Sequence, residues 1–160
     1  MSNKIDPVDR EIIKLLLKDG RMSNTEIARH LEGVSERVVR YRIGKLIKEK
    51  VIRVSAVVDP GAIGFPVVAD VWVEVEAGHA IKVAKRLAEL DLVRYVSYSA
   101  GGMKDVTAQV VALNVQALYT YVDEVIGNVP GVQRTQTMLI PDVLKDVNDW
   151  VPPDLEANQV

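Results

Sequence analysis

The sequence predicts an α+β chain of 160 residues in two parts, three short helices and then a β-α-β-β-α-β unit, joined by a strand that acts as a hinge. Three observations predict it. Apolar residues recur at helical spacing between capping signals through the first third of the chain. Beyond that point, alternating β-branched runs and helical runs follow one another as strand, helix, strand, strand, helix, strand. Charge divides at the same place. Residues 1–50 hold twelve Lys/Arg against eight Asp/Glu, a net of +4; residues 51–160 hold eight against fourteen, a net of −6. A basic first third on an acidic remainder fits a small head that meets nucleic acid, carried on a domain of another kind.

Composition excludes several classes. There is no cysteine, so neither a disulfide framework nor a thiolate metal site is expected. The only imidazoles, His30 and His79, lie far apart, so no metal site and no cofactor are expected. No apolar run is long enough to span a membrane. The opening MSNKIDPVDR is polar and lacks the apolar core of a signal peptide, so a cytoplasmic location is expected.

The first helix starts at Asp6-Pro7, with Asp at the N-cap, Pro at the first helical position and Asp9 near the positive dipole end. Ile12, Leu15 and Leu16 share a face, with Ile13 beside them, and Asp19-Gly20 ends the helix. Ser23-Asn24-Thr25-Glu26 is a capping-box pattern that opens a short second helix with Ile27, Ala28 and Leu31 inward. Glu32-Gly33 turns the chain, and Ser35 caps a third helix.

In that third helix Val39, Ile43 and Leu46 fall on one face; Arg37, Arg40, Tyr41, Gly44 and Lys48 fall on the opposite one. A charged face alone is most simply a solvated surface. The arrangement changes the balance: helix, short helix, tight Gly-containing turn and long basic helix make a helix-turn-helix. In that layout the last helix enters the major groove with its N-terminal residues at the base edges. The candidate DNA-binding residues are therefore Ser35, Glu36, Arg37, Arg40, Tyr41, Lys45 and Lys48, with Arg37 and Arg40 placed to read guanine or grip phosphate and Lys45 and Lys48 to meet phosphate.

Val51–Val58 is β-branched and reads as the hinge strand, ended by Asp59-Pro60-Gly61; a loop then runs to Pro66. This sets the domains at 1–51, 52–66 for hinge and linker, 67–141, and a tail over 142–160. Residues 67–76 alternate. Val67, Ala69, Val71, Val73 and Val75 form a core face, and the Trp72 side mixes charge with bulk, as if partly covered by a partner. A helix over 79–90, strands over 93–100 and 106–112, a helix over 115–127 and a strand over 132–140 complete the ferredoxin-like plan.

Several of these stretches resemble one family. Ile5-Asp6-x-x-Asp9-x-x-Ile12-Ile13 looks like the opening motif of the Lrp/AsnC (feast/famine) transcription regulators. Ser35-x-x-x-Val39-x-x-Arg42-Ile43-x-x-Leu46, followed by Val51-Ile52, resembles that family's recognition helix and exit. Asp59-Pro60 with Gly64 resembles its linker, Gly102-x-x-Asp105 its loop between strands two and three, and Val129-Pro130-Gly131-Val132 its approach to the last strand. Lys104 departs from the aromatic residue or His often found there, which would suit an effector with a polar or acidic side chain.

The resemblance implies a sequence-specific regulator that binds double-stranded DNA. It implies dimerisation through the ferredoxin-like domain, further assembly up to an octamer, and an amino-acid effector. The implied effector site comprises Gly101, Gly102, Met103, Lys104 and Asp105, with Thr135 and Thr137 on the last strand. Asp105 would accept from the ammonium and the glycine-rich backbone would cradle the carboxylate. The same loop also makes a plain β-turn, with Asp105 accepting from local amides.

Two other readings stand beside this one. One is an enzyme like the Lrp-like haem-precursor decarboxylases, with Arg94, Tyr95, Tyr98 and His79 as its residues. The other is a metabolite sensor whose head binds a protein partner.

Overall fold

A computed structural model of the chain describes residues 5–99 and 104–150. It divides into two compact units, one built on the helices before Val57 together with the segment from Lys145, the other on Val58–Leu144.

In the first unit, α1 spans Pro7–Lys18, α2 Asn24–His30 and α3 Glu36–Lys48. Local chemistry sets each start. The Asp6 carboxylate accepts from the Asp9 amide at 2.9 Å, and Asp9 returns the contact to the Asp6 amide at 3.4 Å. Ser23 and Glu26 form the same reciprocal box at α2, and Ser35 Oγ accepts from the Val38 amide at α3. Each cap satisfies amides that a helix N-terminus leaves without an intrahelical partner. The α2–α3 turn passes through Gly33 at φ 71, a region that suits glycine. The head's core is Ile12, Ile27, Val39 and Leu46, packed about by Leu15, Leu16, Leu31, Val34 and Ile43.

The end of α3 carries local strain. The Val51 amide donates to the Leu46 carbonyl at 2.9 Å and the Lys50 amide to the Ile47 carbonyl at 3.0 Å. This is a Schellman closure, and it folds Val51 and Ile52 back onto the core. It places Lys50 at φ 58, where a side chain crowds its own backbone. Lys50→Gly should therefore stabilise the head by about 1 kcal/mol. Chemical denaturation of the full chain checks this, and an unchanged or lowered midpoint contradicts it.

The expected hinge strand over 51–58 does not form within the single chain: residues 52–59 carry no strand, and Val54, Val57 and Val58 are exposed. The reason is physical. A β-branched run becomes a strand only when a neighbouring strand takes its amides and carbonyls, and none of the described strands pairs with it. The loop that follows contains a short 3-10 turn at Gly61–Ile63.

The second unit holds β1 (Val67–Val75), α4 (Ala80–Leu87), β2 (Val93–Tyr98), β3 (Val106–Ala112), α5 (Val115–Tyr121) and β4 (Val132–Ile140). The helix expected over 115–127 is α5 followed by a π turn, Val122–Ile126, with the Gly127 amide donating to the Val122 carbonyl at 2.8 Å. The sheet is antiparallel with order β2-β3-β1-β4, the split-βαβ arrangement. Alternation decides its faces. Ala69, Val71 and Val73 of β1, with Val106, Ala108 and Val110 of β3, bury against Val83 and Leu87 of α4 and Leu118, Val122 and Ile126. On the other face Gln109 Nε2 donates to Asp70 Oδ1 at 3.0 Å. Trp72 is half-buried there, and the group over its ring is this chain's own Lys104. No described helix is long and apolar enough to cross a membrane.

Candidate functional site

The outward side of α3 is the exposed side. Val39 and Leu46 are buried, at 0% and 3% relative accessibility, and Ile43 is half-buried. Arg37, Arg40, Tyr41, Gly44, Lys45 and Lys48 are all exposed, Tyr41 at 72%. Ser35 caps the helix, and Glu36 is half-buried beside it. Four cations and a phenol therefore stand on one helix whose other side is locked into a core. Such a face can meet phosphates and base edges without rearranging the head.

Glu36 has two partners. Its Oε2 accepts from Thr25 Oγ1 of α2 at 3.0 Å, and its Oε1 accepts from Arg40 Nη2. The pair spans one helical turn, with the Arg40 side chain 68% exposed, so it contributes only about 0.3–0.5 kcal/mol. A bidentate contact from arginine to guanine discriminates by about 1–3 kcal/mol. DNA can therefore take Arg40 from Glu36 with a net gain.

Sequence reasoning did not find the role of Arg42. Its Nη1 donates to Asp6 Oδ2 at 2.5 Å and to Asp9 Oδ1 at 2.9 Å, joining α3 to both members of the α1 capping box. Asp9 is the head's buried charge, at 7% relative accessibility. The Asp9 amide, and then Arg42, hold the Asp6 carboxyl below its ordinary range. The two carboxylates in turn raise the Arg42 guanidinium, Asp6 foremost. The residues that unite here are 33 and 36 positions apart. The only signal available in the sequence was two acids in one first turn and an arginine between the inward and outward sectors of α3.

Gly101, Gly102 and Met103 of the expected effector loop lie outside the described residues. Asp105 sits at the mouth of β3. Its Oδ2 accepts from the Val75 amide at 2.9 Å, beside the register shift of β1 against β4, and its own amide donates to the Val73 carbonyl at 3.2 Å. The Asp105 carbonyl accepts from the Ser99 amide at 2.9 Å, and Ser99 Oγ donates to the Lys104 carbonyl. One carboxylate oxygen thus fastens β3 to β1, thirty residues away in sequence rather than within a local turn.

Thr135 pairs with Val73 and Thr137 with Val71, so both threonines share the helix-covered face, with β1 between them and the Asp105 strand. The structure does not gather Thr135, Thr137 and Asp105 into one cluster. It also separates the residues considered for an enzyme. His79 packs on Gly131 at the approach to β4, whereas Arg94, Tyr95 and Tyr98 lie on β2, at the opposite edge of the sheet.

Comparison with known proteins adds independent findings. A family model described as winged helix-turn-helix DNA-binding matches residues 5–53, and one described as Lrp/AsnC ligand binding domain matches residues 68–149. The chain is 34% identical over 150 residues to the HTH-type transcriptional regulator FL11 of Pyrococcus abyssi, covering 93% of this chain and 97% of that one. It is 30% identical over 142 residues to the HTH-type transcriptional regulator LrpA of Pyrococcus horikoshii, covering 88% and 99%.

Among solved structures, Escherichia coli AsnC matches with a TM-score of 0.79 at 22% identity, covering 90% of this chain and 98% of that one. A transcriptional regulator of Neisseria meningitidis, solved in complex with L-Met, matches with a TM-score of 0.79 at 20% identity, covering 88% and 92%. At these identities the two structures speak for the fold alone.

Proposed function

Because the chain belongs to the Lrp/AsnC family of helix-turn-helix transcriptional regulators, we propose that it binds duplex DNA through the outward face of α3 and that an amino acid tunes this binding by changing how copies of the chain assemble. The observation that carries the first half is the exposure of Arg37, Arg40, Tyr41, Lys45 and Lys48 on one side of a helix pinned by Val39 and Leu46. In this reading Ser35 and Glu36 bring the helix N-terminus to the base edges. Arg37 and Arg40 contact bases or phosphate, and Lys45 and Lys48 neutralise phosphates.

Assembly matters because a two-fold pair of heads reads half-sites about one helical turn apart, or multiples of that. A ligand bound where copies meet adds contacts present in only one assembly. It therefore shifts the population of assemblies and, with it, the spacing of the heads. In this reading the second unit carries dimerisation, further assembly up to an octamer, and effector binding. The Lrp/AsnC ligand binding domain matched over residues 68–149 supports an effector site in this unit, and the Neisseria meningitidis regulator of the same fold was solved with L-Met.

Asp105 is then a support as much as a ligand contact. It holds the loop's exit on β1 while the glycines before it meet the carboxylate of the effector. Lys104 is the group that would favour an acidic or polar effector side chain.

A thermal-shift screen of the standard amino acids, paired with light scattering, tests the effector. A ligand that binds only the folded chain adds about 2.7 kcal/mol at one hundred times its dissociation constant. At least one amino acid should raise the melting temperature of the second unit and change the assembly size. If none at millimolar concentration moves melting, assembly or DNA binding, the effector reading is wrong and the DNA-binding reading stands on its own test.

A further inference from the structure

The exposed side of α3 has a notch at its centre. Counted at 100° per residue, Gly44 falls in the middle of the sector that holds Arg37, Arg40, Tyr41 and Lys48. Arg40 and Tyr41 stand one turn towards the N-terminus from it, and Lys48 one turn towards the C-terminus. Glycine is the least favourable helix residue after proline, because it loses the most backbone freedom on folding.

Nothing among the described residues of the head calls for glycine here. The residue lies inside regular helix and is absent from the positive-φ positions. Beyond its own helix backbone, a β-carbon built on it would meet no atom of the described residues within 4 Å. The absent side chain therefore leaves room for something outside the chain, and the rim identifies its chemistry. Arg37, Arg40, Lys45 and Lys48 on the same helix suit a polyanion.

We propose that Gly44 is the point of closest approach between α3 and DNA, where the helix backbone rests against the floor of the major groove with no space for a β-carbon. This deepens the DNA-binding reading above and rests on it. Arg40 and Tyr41 on one side of the notch and Lys48 on the other then straddle the contact. A side chain at Gly44 would lean towards the N-terminus, into the turn that carries Arg40, and would lift these groups from their partners together.

Gly44→Ala tests this, because the two effects have opposite signs. Alanine should raise the melting temperature of the head by roughly 4–8 °C through helix propensity. The same change should weaken binding about tenfold, the equivalent of one lost bidentate contact. The probes are two fluorescent duplexes, one carrying the chain's own promoter and one of mixed sequence, each titrated with full-length wild type and variant. Gly44→Leu should weaken binding further.

A Gly44→Ala chain that melts higher and binds as wild type does overturns the proposal and leaves the DNA-binding reading intact. A variant that melts lower shows that Gly44 serves the fold, and also overturns it. If wild type binds neither duplex in a salt-dependent way, the reading and the proposal fail together. If light scattering shows that the variant only changes assembly size, with affinity per head unchanged, the notch receives a second copy and the proposal is wrong.

Discussion

Arg42→Ala is expected to lower the melting temperature of the helical head sharply while leaving the sheet unit unchanged. Arg42 faces neither solvent nor the groove alone; it reaches α1 and holds Asp6 and Asp9 together. Removing it leaves the Asp9 carboxylate, 9% exposed at its side chain, buried without its counter-charge. Breaking a buried pair from one side costs about 3–5 kcal/mol. The low end applies here, about 3 kcal/mol, because the Asp6 side chain keeps 42% of its exposure to water.

A head of this size has on the order of 5 kcal/mol to lose. More than half of that margin would go, leaving about 2 kcal/mol, so the head stays mostly folded at about 25 °C and melts at a much lower temperature. Arg42→Lys keeps one charge and should recover part of the loss. Wild type carries an acid sensitivity from the same cluster. The folded Asp6 carboxyl titrates below its ordinary 3.8. Its contribution is therefore fully present above that pH and is lost as pH falls through the lower folded value. Two-transition calorimetry of the full chain reads all of this. A head midpoint unchanged in Arg42→Ala would contradict the assigned role.

Arg37→Ala and Arg40→Ala should have the opposite profile, losing DNA and keeping the fold. Both residues are exposed and contribute nothing to the core of Ile12, Ile27, Val39 and Leu46. Losing the Arg40–Glu36 pair costs a few tenths of a kcal/mol at most. Each arginine that makes a bidentate base contact should cost about 1–3 kcal/mol of binding when removed and relax preference at that base pair. One that only meets phosphate should weaken binding evenly across sequences and reduce the salt slope by about one. Competition titrations across operator variants separate the two cases for Arg37 and Arg40. Affinity unchanged in both variants, with the head still folded, would remove α3 from its role.

What the sequence revealed and what it hid follow from the range of the interactions. The Asp6, Ser23 and Ser35 caps were legible because a cap is settled within three residues. The two faces of α3 and of β1 were legible because periodicity fixes which residues share a side. The ferredoxin-like order was legible because strand and helix runs alternate cleanly.

Arg42 was not legible as a bridge, since only the fold brings α3 to the capping box of α1. The run Val51–Val58 forms no strand because strand propensity is a preference for a pleated neighbour, and none of the described strands pairs with it. The alternation of Thr135 and Thr137 placed them together. It could not say that their face is the one α4 and α5 cover, which depends on register with Val73 and Val71. The Asp105 contact that fastens β3 to β1 likewise depended on a partner thirty residues away.

The central claim is that the cations on the outer face of α3 bind the phosphates and bases of duplex DNA. Its most direct test is the salt dependence of wild-type binding to its own promoter duplex. Each neutralised phosphate contributes about −0.9 to the slope of log affinity against log salt. Lys45 and Lys48 alone therefore predict a slope of about −2 for each bound head, reaching about −4 where Arg37 and Arg40 also meet phosphate. Affinity should fall steeply between about 50 and 200 mM salt. A binding constant that stays flat across that range, or no binding to duplex at low salt, would contradict the account.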